Sequence, residues 1–456
     1  MRWLVVVLVL FAGVAHADEG GADFGPVLTI ERIDLHGNHD TADRVILAAL
    51  PIQVGDVIRA GDPRLTTARF KVLGLGFFRD VALELRRGSE RGKIIIDIAV
   101  EERGTVVLNR LWFGTSATSP WWFGADVDQR NFLGLGIGVG GGAVYAGATD
   151  IVGARDQWAA ELRVFDSSIR GSRWGVMASF TMVQASEPYR VAGPYDGTAH
   201  ADFNAMSYRR IGDRVAATYA LSPLSRIIIG ARGELVHAEL PAAPMRMLGD
   251  GTFVPVPLDL KPGDSRVVSA SLGYDKDTRP DPALPREGWH FASSVELGSS
   301  VLGGSYDFAT ILARYDRWWP VARTQAIAVR LSGGVVLGDA PRFDRIYAGD
   351  IDRMVTPRAL GLVVAPNTSK ELLGTGLGGV QYGDAGGSAV VEWSNQLWRG
   401  GKHIYGGDIF VGGGLWALDG GTGVPIDLVL DAGLRVDTDI GIFELSIANA
   451  LGRVPR

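Results

Sequence analysis

The amino-acid sequence predicts an all-β, membrane-spanning barrel with one small α+β domain ahead of it. Three observations carry that prediction. From about residue 104 onward, strand-like runs alternate apolar and polar residues with period two. Aromatic residues cluster near the ends of those runs. Beyond the N-terminal segment, no stretch approaches the roughly 18 to 20 apolar residues that a transmembrane helix needs. Any crossing of a membrane by this chain is therefore made by strands.

The alternation is clearest in IDLVLDAGLRVD, where Ile426, Leu428, Leu430, Ala432, Leu434 and Val436 share one face, and Asp427, Asp431, Arg435 and Asp437 the other. In QWAAELRV, Trp158, Ala160, Leu162 and Val164 oppose Gln157, Glu161 and Arg163; in SRIIIGARGEL, Ile227, Ile229, Ala231 and Leu235 oppose Arg226, Arg232 and Glu234. A soluble sandwich also shows period two. Length decides against it, because roughly fifteen candidate strands, most about ten residues or longer, suit a tilted crossing better than the five or six residues of soluble sheets. The pairs Trp112-Phe113 and Trp318-Trp319 and the triplet Trp121-Trp122-Phe123 sit where rings meet lipid headgroups. Glycine makes up 62 of 456 residues without collagen periodicity, and its concentration between Gly134 and Gly142 suits strands that bend or lumen positions that must stay bare.

Met1 and Arg2, an apolar run from Trp3 to Val14 and the sequence Ala15-His16-Ala17 read as a secretory signal over 1–17. A buried helix is the alternative, but the acidic, glycine-rich DEGGADFG that follows is an odd continuation for one. A linker follows at 18–26, and then the domain at 27–103 and the barrel at 104–456. With no cysteine, the chain has neither disulfides nor thiol chemistry. A net charge of −6 speaks against nucleic acid as a partner.

Within 27–103 the expected order is strand, helix, helix, strand, strand. Leu28 to Leu35 form a strand ended by Gly37-Asn38; a helix capped by Thr41 presents Ile46, Leu47 and Leu50 and stops at Pro51. A second helix runs from about Pro63 to Leu73, with Pro at its first turn and Gly74 at its end. Strands Phe78 to Leu85 and Lys93 to Val100 close the unit.

These residues resemble a known family. The mature chain is similar to the BamA/TamA superfamily of outer-membrane proteins, the bacterial surface antigen family, in which periplasmic POTRA domains precede a barrel of about 16 antiparallel strands. IDLHGNHDTADRVI and GLGFFRDVALEL resemble one POTRA unit. In the barrel, DQRNFLGLG (128–136), SLGYDKDTRPDPALPREGW (271–289), FDRIYAGDIDRMVTPRALGL (343–362) and DAGLRVDTDIGIFELSIANAL (431–451) resemble family motifs in the family's order. The third motif occupies the place of the long sixth extracellular loop, with Phe343, Tyr347, Gly349, Asp350, Pro357 and Gly361 at its motif positions. It reads PRALG where the family has VRGY. The family arginine therefore falls on Arg358, or on Arg353 as the alternative, and its acidic partner on Glu392; a second acidic position falls near Gly412. The sequence ends at Arg456 after what reads as an odd number of strands, which leaves a miscounted strand, a distorted strand or an incomplete sequence open.

The resemblance implies a loop that folds back into the lumen and is held by an Arg358–Glu392 pair. It also implies that the strand carrying Val81, Leu83 and Leu85 is a sheet edge able to pair with a client polypeptide. The expected function is insertion of proteins into the bacterial outer membrane, or polypeptide translocation across it, with the small domain in the periplasm. A dedicated secretion transporter and a passive pore are the alternatives. Expected partners are outer-membrane lipids, client polypeptides and accessory periplasmic or lipoprotein subunits. No catalytic residues, metal or cofactor are expected. The G-x-G patterns of GLGIGVGGG lack a following helix, His16, His36 and His39 lack zinc spacing, and Asp350 and Asp352 suit a polar loop.

Overall fold

In a computed structural model of the chain, residues 27–59, 61–116, 119–193, 199–222, 224–348, 358–364, 382–419 and 426–453 are described. The expected signal and linker lie outside them. The small domain is built from β1 (Val27–His36), α1 (Asp43–Ala49), β2 (Val57–Arg59), α2 (Pro63–Gly74), β3 (Phe78–Arg87) and β4 (Lys93–Glu102). Its sheet runs β2-β1-β4-β3, with β1 and β4 parallel and the outer pairs antiparallel. Ile30, Ile46, Ile58, Ala68, Val72 and Ile96 form the core that joins sheet and helices.

Two local expectations are corrected. The sequence order omitted β2, whose three residues are too few to show a period. Thr41 does not cap α1: the cap position is Ala42, without a side-chain bond, while Thr41 is buried and accepts from Asn131 Nδ2 at 2.9 Å. The second helix starts as expected, with Asp62 accepting from the Arg64 amide at 2.9 Å and Pro63 in the first turn.

The barrel strands are β5 (Val106–Ser116), β6 (Ser119–Phe132), β7 (Ile137–Ala146), β8 (Gln157–Asp166), β9 (Trp174–Arg190), β10 (Phe203–Ser222) and β11 (Ser225–Glu239). A short hairpin, β12 (Met245–Met247) and β13 (Phe253–Pro255), precedes β14 (Gly263–Asp277), β15 (Gly288–Gly298), β16 (Phe308–Pro320) and β17 (Gln325–Gly338). The pair β18 (Ile346–Tyr347) and β19 (Tyr382–Gly383) precedes β20 (Ala385–Arg399), β21 (Ile404–Leu418), β22 (Ile426–Thr438) and β23 (Gly441–Arg453). Among the described residues, fifteen of these make one continuous antiparallel sheet from β5 to β23, where about sixteen were expected. Because neighbours alternate in direction, an odd count makes β5 and β23 run the same way. At the rim next to the small domain, the Leu108 amide donates to Ile440 O at 2.7 Å. Above Leu108, no backbone bond joins β5 to β23 among the described residues.

The alternation sorts side chains as the sequence implies. Leu162 is 69% exposed and Leu445 77%, on the outer face, whereas Asp427, Asp431 and Arg435 point inward and are buried. The aromatic clusters divide between the faces, because consecutive residues of a strand point opposite ways. Trp121, Phe123 and Tyr145 stack outward, with Trp121 at 5.4 Å from Tyr145, while Trp122 turns inward; Trp319 is exposed and Trp318 buried. Glycine on the inner wall leaves room for side chains from neighbouring strands. A methyl group on Gly140 would overlap the Asp128 carboxylate, on Gly412 that of Asp431, and on Gly138 the Phe165 ring.

Glu102, at the end of β4, fixes the turn before α1. Its carboxylate accepts from the amides of His39 and Asp40 at 2.9 and 3.0 Å. Burial pushes this carboxyl up, but bonds from the Thr41 hydroxyl and the amides of Asp40, His39 and Thr41 outweigh it and hold the group below its ordinary 4.5. A carboxyl depressed in the folded state contributes stability above that ordinary value and loses it as pH falls through the folded one. Glu102→Gln should therefore flatten the acid limb of domain unfolding below about pH 4.5, measured by hydrogen exchange of α1; an unchanged limb would count against this role. In the core, Ile96→Ala should cost the domain about 2 to 5 kcal/mol in urea unfolding, with heat-modifiable migration of the barrel retained.

Candidate functional site

After β17 the chain turns inward at Gly338, whose φ of 85° suits glycine, and the Asp339 amide donates to Asp307 O at 2.8 Å. The short 3-10 turn Arg342–Asp344 then lies against the inner wall. Three contacts hold it. Arg232 of β11 grips Asp344 with both terminal nitrogens, one at 3.0 Å. Arg342 Nε donates to Glu187 of β9 at 3.1 Å, and the same carboxylate accepts from the hydroxyls of Tyr208 and, at 2.6 Å, Tyr382. Phe343 lies under the Arg210 guanidinium at 4.1 Å and beside the Tyr208 ring at 5.7 Å. Glu187, Arg232, Arg342 and Phe343 are all buried. A buried charge is tolerated when it is paired; Glu187 and Arg342 pair with each other and Arg232 with Asp344, while Arg232 Nε has no hydrogen bond among the described residues and lies 3.6 Å from Glu234.

The far part of the loop returns to the same place. Arg358 donates to the carbonyls of Phe343 and, at 2.5 Å, Arg345, with Tyr347 and Tyr382 rings at 5.6 and 5.5 Å. Arg345 pairs with Asp384 and, at 3.1 Å, with Asp259. Ala359 and Leu362 exchange bonds across a turn with Gly361 at φ 84° beside the Arg210 guanidinium. Ser116, at the last position of β5, donates to Val364 O at 2.7 Å, so the loop also braces the far end of the first barrel strand.

The expected Arg358–Glu392 pair is corrected. Among the described residues, no bond joins them. Glu392 accepts from Arg330 at 2.9 Å and from Arg435 at 2.6 Å, each through two nitrogens, and Arg435 reaches on to Glu444 at 2.7 Å. The reason is position along the strand: Arg358 sits by Tyr382, ahead of β20, and Glu392 lies about ten residues further along, roughly 30 Å of extended chain. Glu392 thus ties β17, β20, β22 and β23 together across the wall. The acid missing at Gly412 is matched by Asp431, which reaches over it from the next strand. Of the other motif residues, Phe343 and Tyr347 are buried beside the docking site. Gly349, Asp350, Pro357 and the alternative Arg353 lie outside the described residues.

Sequence reasoning missed Glu187, Arg232 and Asp344. Arg232 was visible as a charge on the inward face of SRIIIGARGEL, and Asp344 stood inside the loop motif, but nothing in a linear sequence joins positions 112 apart. Below the loop, a cavity of about 910 Å³ is lined by Arg214, Arg232, Arg314, Glu296 and Asp316. Among the described residues, no group of acids and histidines is arranged to hold a metal ion. At the small domain, β3 is the sheet's edge. Val81 is buried in the core, Leu83 is half-buried against it and Leu85 is exposed, so Val81 has only its backbone to offer a partner.

The Omp85 superfamily domain profile matches residues 131–453. The outer membrane protein assembly factor BamA of Nitratidesulfovibrio vulgaris is 24% identical over 332 residues, 71% of this chain and 37% of that protein. The chain thus spans little more than a third of that relative's length. CdiB from Escherichia coli aligns at 13% identity with a TM-score of 0.57, over 94% of this chain and 73% of its own. BamA from Haemophilus ducreyi lacking POTRA domains 1–3 aligns at 13% identity with a TM-score of 0.50, over 94% and 82%. At that identity the two structures speak for a shared fold.

Removing one member of a buried ion pair costs about 3 to 5 kcal/mol, because the other is left uncompensated. Arg232→Ala should therefore release the loop, seen as new cleavage by added protease near 339–364 while the barrel keeps its heat-modifiable migration. Glu392→Gln should leave the loop protected and lower the barrel's thermal midpoint instead. The reverse pattern would restore Glu392 as the loop's holder.

Proposed function

The chain belongs to the Omp85 superfamily, and on that premise we propose that it inserts polypeptides into the bacterial outer membrane or moves them across it. The observation that carries the reading is the seam: two edge strands running in the same direction, joined among the described residues by one backbone bond at the domain-side end, from Leu108 of β5 to Ile440 just ahead of β23. An edge strand exposes a row of unpaired amides and carbonyls. A client strand running opposite to both edges would pair with each in the antiparallel register that the rest of the sheet uses.

The small domain fits the same task as a POTRA-like unit on the periplasmic side. Its free edge at β3 accepts an extended segment through the backbone, with Leu85 and half-buried Leu83 offering apolar contact, and its position at the barrel rim leads toward the seam. The folded loop keeps the far mouth occupied while leaving the seam unpaired. A sequence relative is an outer membrane protein assembly factor, which favours assembly of barrel proteins over secretion of a single partner. Outer-membrane lipids against the outward face, client polypeptides and accessory periplasmic or lipoprotein subunits are the partners this role needs. No catalytic role is proposed.

Depleting the protein and quantifying the outer-membrane and secreted proteomes tests the reading. Broad loss of barrel proteins is the expected result. Loss of one secreted protein alone would assign a dedicated transporter, and altered solute permeability with an unchanged proteome would leave a passive pore and sink the proposal.

A further inference from the structure

The small domain touches the barrel on both sides of the seam. On the β5 side, the Ala42 amide donates to Gly134 O at 3.1 Å in the β6–β7 turn, Asn131 binds Thr41, and the Arg130 amide donates to Thr105 O at 2.8 Å. On the β23 side, Arg103 Nη2 approaches Thr438 O at 3.4 Å and Asp437 at 3.5 Å, beside the turn into β23. Arg79 of β3 donates to Gly401 O at 3.2 Å, in the turn into β21. Both guanidiniums face the Tyr405 ring, Arg79 at 5.2 Å and Arg103 at 5.3 Å. Between the two sides, the segment joining β4 to β5 passes so close to the β22–β23 turn that a side chain at Gly104 would overlap Asp439 O, and Gly441, at φ 136°, sits against Leu108 O. These contacts cluster at the level of the Leu108–Ile440 backbone bond, the only one among the described residues that joins β5 to the turn into β23.

We infer that the small domain is a staple across the domain-side end of the seam, and that Arg79, Arg103 and Tyr405 are positioning residues that make this end its hinge. The edge strands then part from the far end toward the domain. The first strand pair and the last strand group, the two ends of one sheet, are held at fixed spacing by one unit that bonds to both. At the far end β5 is bonded to the loop through Ser116 and Val364, with no backbone bond to β23 among the described residues. The inference takes the seam as the working part, as in the proposed function, and adds where it pivots.

The chain has no cysteine, so paired spin labels can be introduced without background. Full-length protein in lipid nanodiscs is labelled at Val106→Cys with Ile442→Cys, near the hinge, or at Phe113→Cys with Ile447→Cys, further up; all four positions are exposed. Pulsed electron resonance should give a narrow distance for the lower pair and a broader one for the upper. Arg79→Ala with Arg103→Ala should broaden the lower pair and lengthen it by about one strand spacing, ~5 Å. Tyr405→Leu should act in the same direction, whereas Tyr405→Phe, which keeps the ring, should restore the narrow distance. Heat-modifiable migration reports whether each variant folds, and Tyr405→Leu serves if the double variant does not. A lower pair unchanged in both Tyr405→Leu and any folded arginine variant, or broader than the upper pair in the unaltered protein, would overturn the staple. No client is present, so this outcome stands apart from that of depletion.

Discussion

A strand in a hydrocarbon layer must find partners for all of its backbone groups among its neighbours, and the fifteen alternating strands of the described residues leave one boundary where the sheet's own pattern cannot supply them. The first and last strands run the same way, so antiparallel pairing between them is geometrically closed off. Three features meet that boundary or the strands beside it. The small domain brackets one end of it, the loop braces the outermost residue of the first strand, and Glu392 with Arg435 and Glu444 binds the last strands into the wall.

The inner wall serves two masters with the same residue types. On β6 and β8, Arg163 gathers Asp126 and Asp128 and satisfies the strands' own charges. On β11, Arg232 pairs with Glu234 and Glu296 of the wall and also turns its fork to Asp344 of the loop. Arginine suits both tasks because its planar fork meets a carboxylate through two bonds, which fixes orientation as well as proximity. The loop is thus held by the same chemistry that holds the wall, and it packs its apolar residues, Phe343, Ile346, Leu362 and Val364, into a buried cluster with the wall around those pairs.

Much of the fold was legible in the sequence because period two has a direct physical cause. Asp427, Asp431 and Arg435 had to share a face, and a chain that spans lipid has only one face for them. The strand β2 escaped notice for want of length, and the odd strand count was visible but ambiguous. Thr41 had the right chemistry for a cap and went elsewhere because Asn131 and Glu102 made it better offers. The candidate site was legible as a loop and illegible as a set of contacts. Arg358 and Glu392 had the right charges, but pairing depends on how far along each strand a residue stands, and motif order does not encode that. Arg232 could be placed on the lumen face, yet its reach to Asp344 of the loop as well as to Glu234 and Glu296 of the wall is a fact of three dimensions.

The bare positions on the lumen wall carry a consequence for how this sequence can drift. Where the Asp128 carboxylate lies across Gly140 and that of Asp431 across Gly412, the two positions share one volume. Neither can be exchanged freely while its companion stays, since a larger residue at 140 or 412 evicts the acid, and loss of the acid vacates space that only then admits a side chain. Such sites should change in couples across a lineage, and a single-site view would mistake each for an independent requirement.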